Sequence, residues 1–235
     1  MNIHILKAYL KRYELLTRTA MHYTKLPYDG KWRRFHREYS LVIDGFPRCG
    51  NTFATHAFML ANPEVCVGHH FHAPSIFKYS VRNKIPSLCI FRDPLNCIIS
   101  NKIYYPKKTL ATIQAEYISY YQVILKLPNQ VVLSDFETTT SDFGRVIDAV
   151  NNKFDTRFNK FDSTKNNVKA VRDIIEKIPT QHRREALVAV ERQCTPSDKR
   201  KTMKKELTGL ITKMDNGDFL KRSWAIYSAL KNRSI

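Results

Sequence analysis

The sequence holds 235 residues, with 39 Lys and Arg against 21 Asp and Glu, a formal charge of +18 and 43% apolar residues. That apolar share supports a folded core, and the cationic excess implies anionic partners: a nucleotide, a sulfated or phosphorylated substrate, nucleic acid or an acidic membrane. No run of 18 apolar residues is present and the N-terminus lacks the apolar centre of a secretory signal, so a spanning helix is excluded and a single-domain cytoplasmic protein is expected. The five cysteines (Cys49, Cys66, Cys89, Cys97, Cys194) are odd in number and form no C-x-x-C pair, which supports buried thiols over a zinc site or a disulfide framework.

Residues 1–40 contain nine Lys and Arg against three acidic residues, and Ile5, Tyr9, Tyr13 and Leu16 recur at helical spacing. The pattern predicts a basic amphipathic helix. Packing on the main domain and service as a surface arm for membrane or nucleic acid both remain open.

The segment 41–153 alternates strand and helix patterns. Leu41–Gly45 reads as a buried strand that ends at a glycine. Gly50-Asn51-Thr52 follows, then a helix over Thr52–Ala61. The spacing is that of a phosphate-binding loop, G-x-x-x-x-G-K-[ST], with Asn51 where the lysine belongs. Such a loop turns successive backbone N–H groups towards an anion at a helix N-terminus. The missing lysine argues against ordinary ATP or GTP hydrolysis, and Arg48 is the replacement cation.

A short strand is predicted over Glu64–Gly68, followed by Gly68-His69-His70-Phe71-His72-Ala73-Pro74 and a helix over Pro74–Asn83. Three histidines within four residues invite a metal, but no acidic or cysteine ligand adjoins them. Strand alternation would place His70 and His72 on one face and His69 on the other. A histidine at a strand edge can serve as general base or as a structural cap.

The third strand, Ser87–Phe91, runs into Arg92-Asp93-Pro94, and Ser100 lies two turns along the helix Pro94–Tyr104. Ligands of open α/β sheets bind beyond the carboxyl ends of the strands, which is where Arg92 stands. Arg92 and Ser100 can grip one phosphate; an Arg92–Asp93 pair with an incidental serine is the plainer alternative. A helix over Leu110–Leu127, a strand over Gln130–Ser134 and a helix over Asp142–Asn152 complete this part. Strands separated by helices of this length predict βαβ units: an α/β, three-layer fold with a central parallel sheet and a P-loop-type strand-loop-helix.

Residues 154–180 are polar and read as a connection with little regular structure. The remainder reads as helical, interrupted by the basic run Lys199–Lys205, with a final helix over Phe219–Leu230. One domain is expected, with a basic N-terminal region (1–40), a nucleotide-binding core (41–153) and a mostly helical C-terminal part (154–235).

Together these constellations resemble the sulfotransferases that use 3′-phosphoadenosine-5′-phosphosulfate (PAPS). Pro47-Arg48-Cys49-Gly50-Asn51-Thr52-Phe53 is similar to the family's P-K/R-S-G-T-T-W/F loop, which binds the 5′-phosphosulfate. Arg92-Asp93-Pro94 with Ser100 resembles its R-D/N-P…S motif for the 3′-phosphate, and His70-Phe71-His72-Ala73-Pro74 its K-T-H-x-P element. Val131–Glu137 is similar to the strand that ends in an acidic Y-E-D-L element. The resemblance covers roughly residues 40–153. It implies PAPS as donor, PAP as product and no metal. The implied donor-binding residues are Arg48, Cys49, Gly50, Asn51, Thr52, Phe53, Arg92 and Ser100. His72 is implied as base, Arg48 as stabiliser of the leaving phosphate, and Phe53 as a ring that can stack on the purine. Cys49 and Asn51 depart from the common serine and threonine, and the family's glycine-rich R-K-G segment is absent. The run 199–205 can take part of that role or form a solvated helix face.

The acceptor stays open between an anionic glycan and a small molecule. A P-loop phosphotransferase, with Asp44 or Asp135 holding a metal, is the rival enzyme. A basic protein binding nucleic acid or an anionic surface is the rival without catalysis.

Overall fold

Four parallel strands form the centre of the molecule. The computed structural model describes residues 6, 9–23, 27–28, 31–32, 38–127, 129–181 and 198–235. The main sheet comprises β3 (Leu41–Gly45), β4 (Val67–His69), β5 (Ser87–Phe91) and β6 (Val132–Asp135) in the order β4-β3-β5-β6. Every pairing in it is parallel, with Ile43 opposite His69, Gly45 opposite Ile90 and Phe91 opposite Asp135. All residues of β3, β5 and β6 are buried. Their near-continuous apolar runs are what a sheet covered on both faces demands. A separate ladder pairs β1 (Pro27–Tyr28) with β2 (Lys31–Trp32).

The strands are joined by α2 (Asn51–Ala61), α3 (Ser75–Arg82), α4 (Pro94–Tyr104) and α5 (Leu110–Leu125), and β6 is followed by α6 (Phe136–Ser141) and α7 (Phe143–Phe154). α1 (Glu14–Tyr23) precedes the sheet. The chain closes with α8 (Lys165–Gln181), α9 (Asp198–Lys213), a 3-10 turn over Met214–Leu220 and α10 (Lys221–Lys231). The α/β class and the central parallel sheet are as expected from the pattern. Local chemistry sets several boundaries: Asp93 accepts the Asn96 N–H at 2.8 Å and Pro94 opens α4, and Thr109 and Asp142 cap α5 and α7. Among the described residues no helix is long and apolar enough to cross a membrane.

Several expectations are corrected. Residues 154–180 are not mainly irregular, because α8 begins at Lys165. Val168, Val171 and Ile175 are spaced three and four apart, and fully buried Val171 anchors this helix beside α2. The basic run does not interrupt a helix; it lies inside α9, where its Lys, Arg and Met residues are good helix formers. β4 begins at Val67 rather than Glu64, and β6 at Val132 rather than Gln130. The N-terminal helix is not continuous through Tyr13, since the chain turns at Lys11 and Arg12 before α1 starts at Glu14. Residues 182–197, including Cys194, and Ile5 lie outside the described residues. Cys49, Cys89 and Cys97 are buried, and Cys66 is exposed.

Candidate functional site

The loop after β3 is built against its neighbour strand. A Cβ on Gly45 would lie 2.2 Å from the Ile90 carbonyl oxygen, so the close approach of β3 and β5 requires glycine. Arg48 (φ 72°) and Gly50 (φ 96°) both turn left-handed, which folds the chain back to start α2 at Asn51. No side chain caps that helix start. Its first N–H groups are therefore available to an anion.

The two residues that depart from the expected loop pattern face inward. Asn51 is buried, and its Nδ2 donates to the carbonyls of Gly45 at 3.1 Å and Phe46 at 3.0 Å. Cys49 is fully buried, its Sγ 3.4 Å from Cys97 Sγ and 3.2 Å from the Tyr121 hydroxyl. Tyr121 braces the loop further by accepting the Phe46 N–H and donating to the Ile90 carbonyl. Phe53 packs edge to face on Phe161, with centroids 6.3 Å apart.

The second motif meets the loop directly. Ser100 on α4 is buried, and its hydroxyl accepts from Arg48 Nε at 3.2 Å and from Arg200 Nη2 at 2.8 Å. The Arg48 guanidinium also lies over the Tyr104 ring at 4.9 Å, so this side chain is directed towards the second motif. Arg92 donates to the Arg48 carbonyl at 3.4 Å and stacks on Phe136 at 4.0 Å. Arg92 Nε is buried without a hydrogen-bond acceptor; its nearest carboxylate is Asp93, 3.8 Å away. Burial, and then Arg92, Arg200 and Arg48, push the Lys204 ammonium below the ordinary lysine value. Two arginines thus meet on Ser100, with Arg92 on the Arg48 carbonyl and Lys204 within electrostatic reach of all three, beside a helix start that no side chain caps. The guanidinium donors suit a phosphate or sulfate.

The histidines lie on the opposite side of the loop. His70 (φ 56°) and His72 (φ 49°) both hold the left-handed conformation, so the chain leaves β4 in a double kink and not as an alternating strand. His72 Nδ1 lies 2.9 Å from the Gly45 carbonyl and 3.6 Å from Asp44 Oδ1. A carbonyl only accepts, so Nδ1 bears the proton and the neutral ring carries its lone pair on Nε2. The His72 N–H donates to Asp44 Oδ2 at 2.8 Å, and the fully buried Asp44 is also 3.5 Å from the Tyr120 hydroxyl. His70 Nε2 lies 3.1 Å from Thr52 Oγ1, and its Nδ1 lies 2.8 Å from His69 Nδ1. No group of three metal-holding side chains occurs among the described residues.

The acidic end of β6 has a structural use. Burial pushes the Asp135 carboxyl up, but the Lys231 ammonium and the Thr138 N–H together bring it below the usual carboxylate range. Arg200 lies in the basic run 199–205, whose sequence leaves open a share in the role of the R-K-G segment or a solvated face, and its contact with Ser100 favours the first. Phe136 lies in the segment Val131–Glu137, whose sequence pattern does not signal its ring contact with Arg92. Asp44 had been weighed only as a metal ligand; a lone carboxylate inside an apolar strand was its signal.

No protein-family model matches the chain, and no curated protein does. Among solved structures the chain is similar to mouse sulfotransferase SULT7A1, in a crystal structure complexed with PAP. The TM-score is 0.39 and the identity 9%, over 84% of this chain and 88% of that chain. A likeness at that level carries no argument, so the functional reading stands on the residues.

Proposed function

We propose that this protein is a sulfotransferase that moves a sulfuryl group from PAPS to a hydroxyl or amine. The observation that carries the reading is the meeting of Arg48 and Arg200 on Ser100, with Arg92 on the Arg48 carbonyl, beside a loop whose helix start has no side-chain cap. Two anion sites side by side suit a donor with phosphates at both its 5′ and 3′ positions.

In this reading the loop from Arg48 to Thr52 takes the 5′ end of the donor through N–H groups other than that of Cys49, which donates to the Phe46 carbonyl at 3.3 Å. Arg92, Ser100 and Arg200 take its 3′-phosphate. Arg48 belongs to both sites, with its backbone in the loop and its guanidinium on Ser100. The acceptor oxygen or nitrogen attacks sulfur in line, the bond from sulfur to the 5′-phosphate oxygen breaks, and PAP leaves. Loop N–H groups and Arg48 offset the charge that develops on the leaving phosphate. His72 Nε2 receives the acceptor's proton, while Asp44 and the Gly45 carbonyl hold the ring. The phosphotransferase alternative is disfavoured because the Asn51 amide, at the lysine's position, is engaged by two backbone carbonyls.

Thermal melting with PAP tests the donor site. At hundredfold saturation PAP should raise the midpoint by about 5–10 °C, and Arg92→Ala should remove most of that shift. ATP with magnesium should do far less. No shift at millimolar PAP rejects the donor assignment.

A further inference from the structure

The N-terminal segment carries a surface that the transfer reaction does not use. Among the described residues nine large apolar side chains are more than a third exposed, and five of them fall between positions 9 and 16: Tyr9, Leu10, Tyr13, Leu15 and Leu16. Leu15 is 75% exposed. A surface helix ordinarily turns its apolar stripe towards the core. At Leu15 and Leu16 α1 does the reverse, and its polar contacts show how. Thr17 is buried and accepts the Ser75 hydroxyl at 2.9 Å, while Glu14 pairs with Arg82 of α3 and with Arg18. These contacts fix the rotation of the helix and send Leu15 and Leu16 outward.

Cations border the two exposed tyrosines of this segment. Arg12 lies 5.5 Å over the Tyr9 ring, and Lys78 Nζ donates to the Arg12 carbonyl at 3.1 Å. A cavity of about 390 Å³ lies between this segment, α3 and the end of α5. It is lined by Tyr9, Arg12, Tyr13, Lys78 and Lys126 with two aliphatic side chains, and by no carboxylate.

We propose that this face docks on an anionic lipid bilayer. Leucines that enter the acyl boundary, tyrosines at the interface and lysines or arginines among the headgroups are the three parts of an interfacial anchor. Nucleic acid would use the cations but gives Leu15 and Leu16 nothing to bury against. A second copy brings the same +18 charge, which opposes association. The docking does not depend on the reaction proposed above.

Co-sedimentation of the full chain with vesicles tests it. The protein should pellet with phosphatidylcholine vesicles that contain phosphatidylserine, pellet weakly with phosphatidylcholine alone, and release as salt is raised. Leu15→Asp with Leu16→Asp should lower the partition coefficient about tenfold or more. Leu15→Ser with Leu16→Ser is the milder pair, and an unchanged melting midpoint shows that each variant is folded. Equal pelleting by folded variants and wild type would overturn the proposal. So would equal binding to both vesicle types, a dimer in lipid-free solution that the leucine variants abolish, or displacement of wild type from vesicles by RNA at matched charge.

Discussion

Asp44 and His72 show how much a single buried carboxylate can organise. Asp44 sits in the central strand, takes the backbone N–H of His72 and lies 3.6 Å from its ring. The left-handed turn at His72 costs about 1–2 kcal/mol for a residue with a Cβ, and the Asp44 hydrogen bond helps hold that turn. Asp44 is a positioning residue in this reading. Asp44→Asn should lower kcat by about 10- to 100-fold, with the KM for PAPS unchanged; His72→Ala should cost about 10²–10⁴-fold. Equal kcat in Asp44→Asn and wild type, measured with labelled PAPS, would assign Asp44 to the fold alone. Gly45 is as constrained for a different reason: the Ile90 carbonyl fills the space where its Cβ would be. Gly45→Ala should cost about 3 kcal/mol of stability, read as a lower denaturant midpoint.

Elements announced themselves where sequence signals were local. Ser87–Phe91 and Pro94–Tyr104 occupy the predicted spans because an apolar run, an aspartate cap and a proline are all contiguous. α8 was not legible, since Asn166, Asn167, Lys169, Arg172 and Asp173 surround a stripe of only a few apolar residues. Its partner surface on α2 gives that stripe its purpose, and no single segment displays such pairing. The same limit applies in the site. The loop and the Arg92–Ser100 spacing are visible within a dozen residues each. Arg200 reaches Ser100 across a hundred positions, and the kinks at His70 and His72 break the alternation that a strand pattern assumes. Val171→Ala tests the α8–α2 seam. Loss of a fully buried side chain there should cost about 2 kcal/mol, lowering the melting midpoint while leaving the PAP-induced shift in place. A lost PAP shift would mean that the seam also shapes the loop.

For the molecule as a whole, charge is both an asset for binding and a burden on folding. Lys204 illustrates the trade. Its ammonium is pushed down by burial and three arginines, so folding is penalised wherever both states are protonated. That cost is present in full below the folded-state value. It is relieved as pH rises through the folded-state value towards 10.5, the ordinary lysine value. Lys204→Met should therefore melt higher than wild type at neutral pH without ligand, and the gap should narrow at alkaline pH. With PAP present the order should reverse, because the anion gains from the lysine. A variant that melts lower in both conditions would show that Lys204 serves packing instead.

The anion cradle also has an order of assembly. The loop, Arg92 and Ser100 are synthesised early, and the sheet that carries them can begin to pair at once. Arg200 and Lys204 emerge a hundred residues or more later, on a helix that must dock against α4 before Arg200 reaches Ser100. Until then a nascent chain presents a bare loop with half its clamp. If the proposed donor is the ligand, its full clamp is thus among the last features the chain assembles, and PAP present during synthesis should favour the docking of α9.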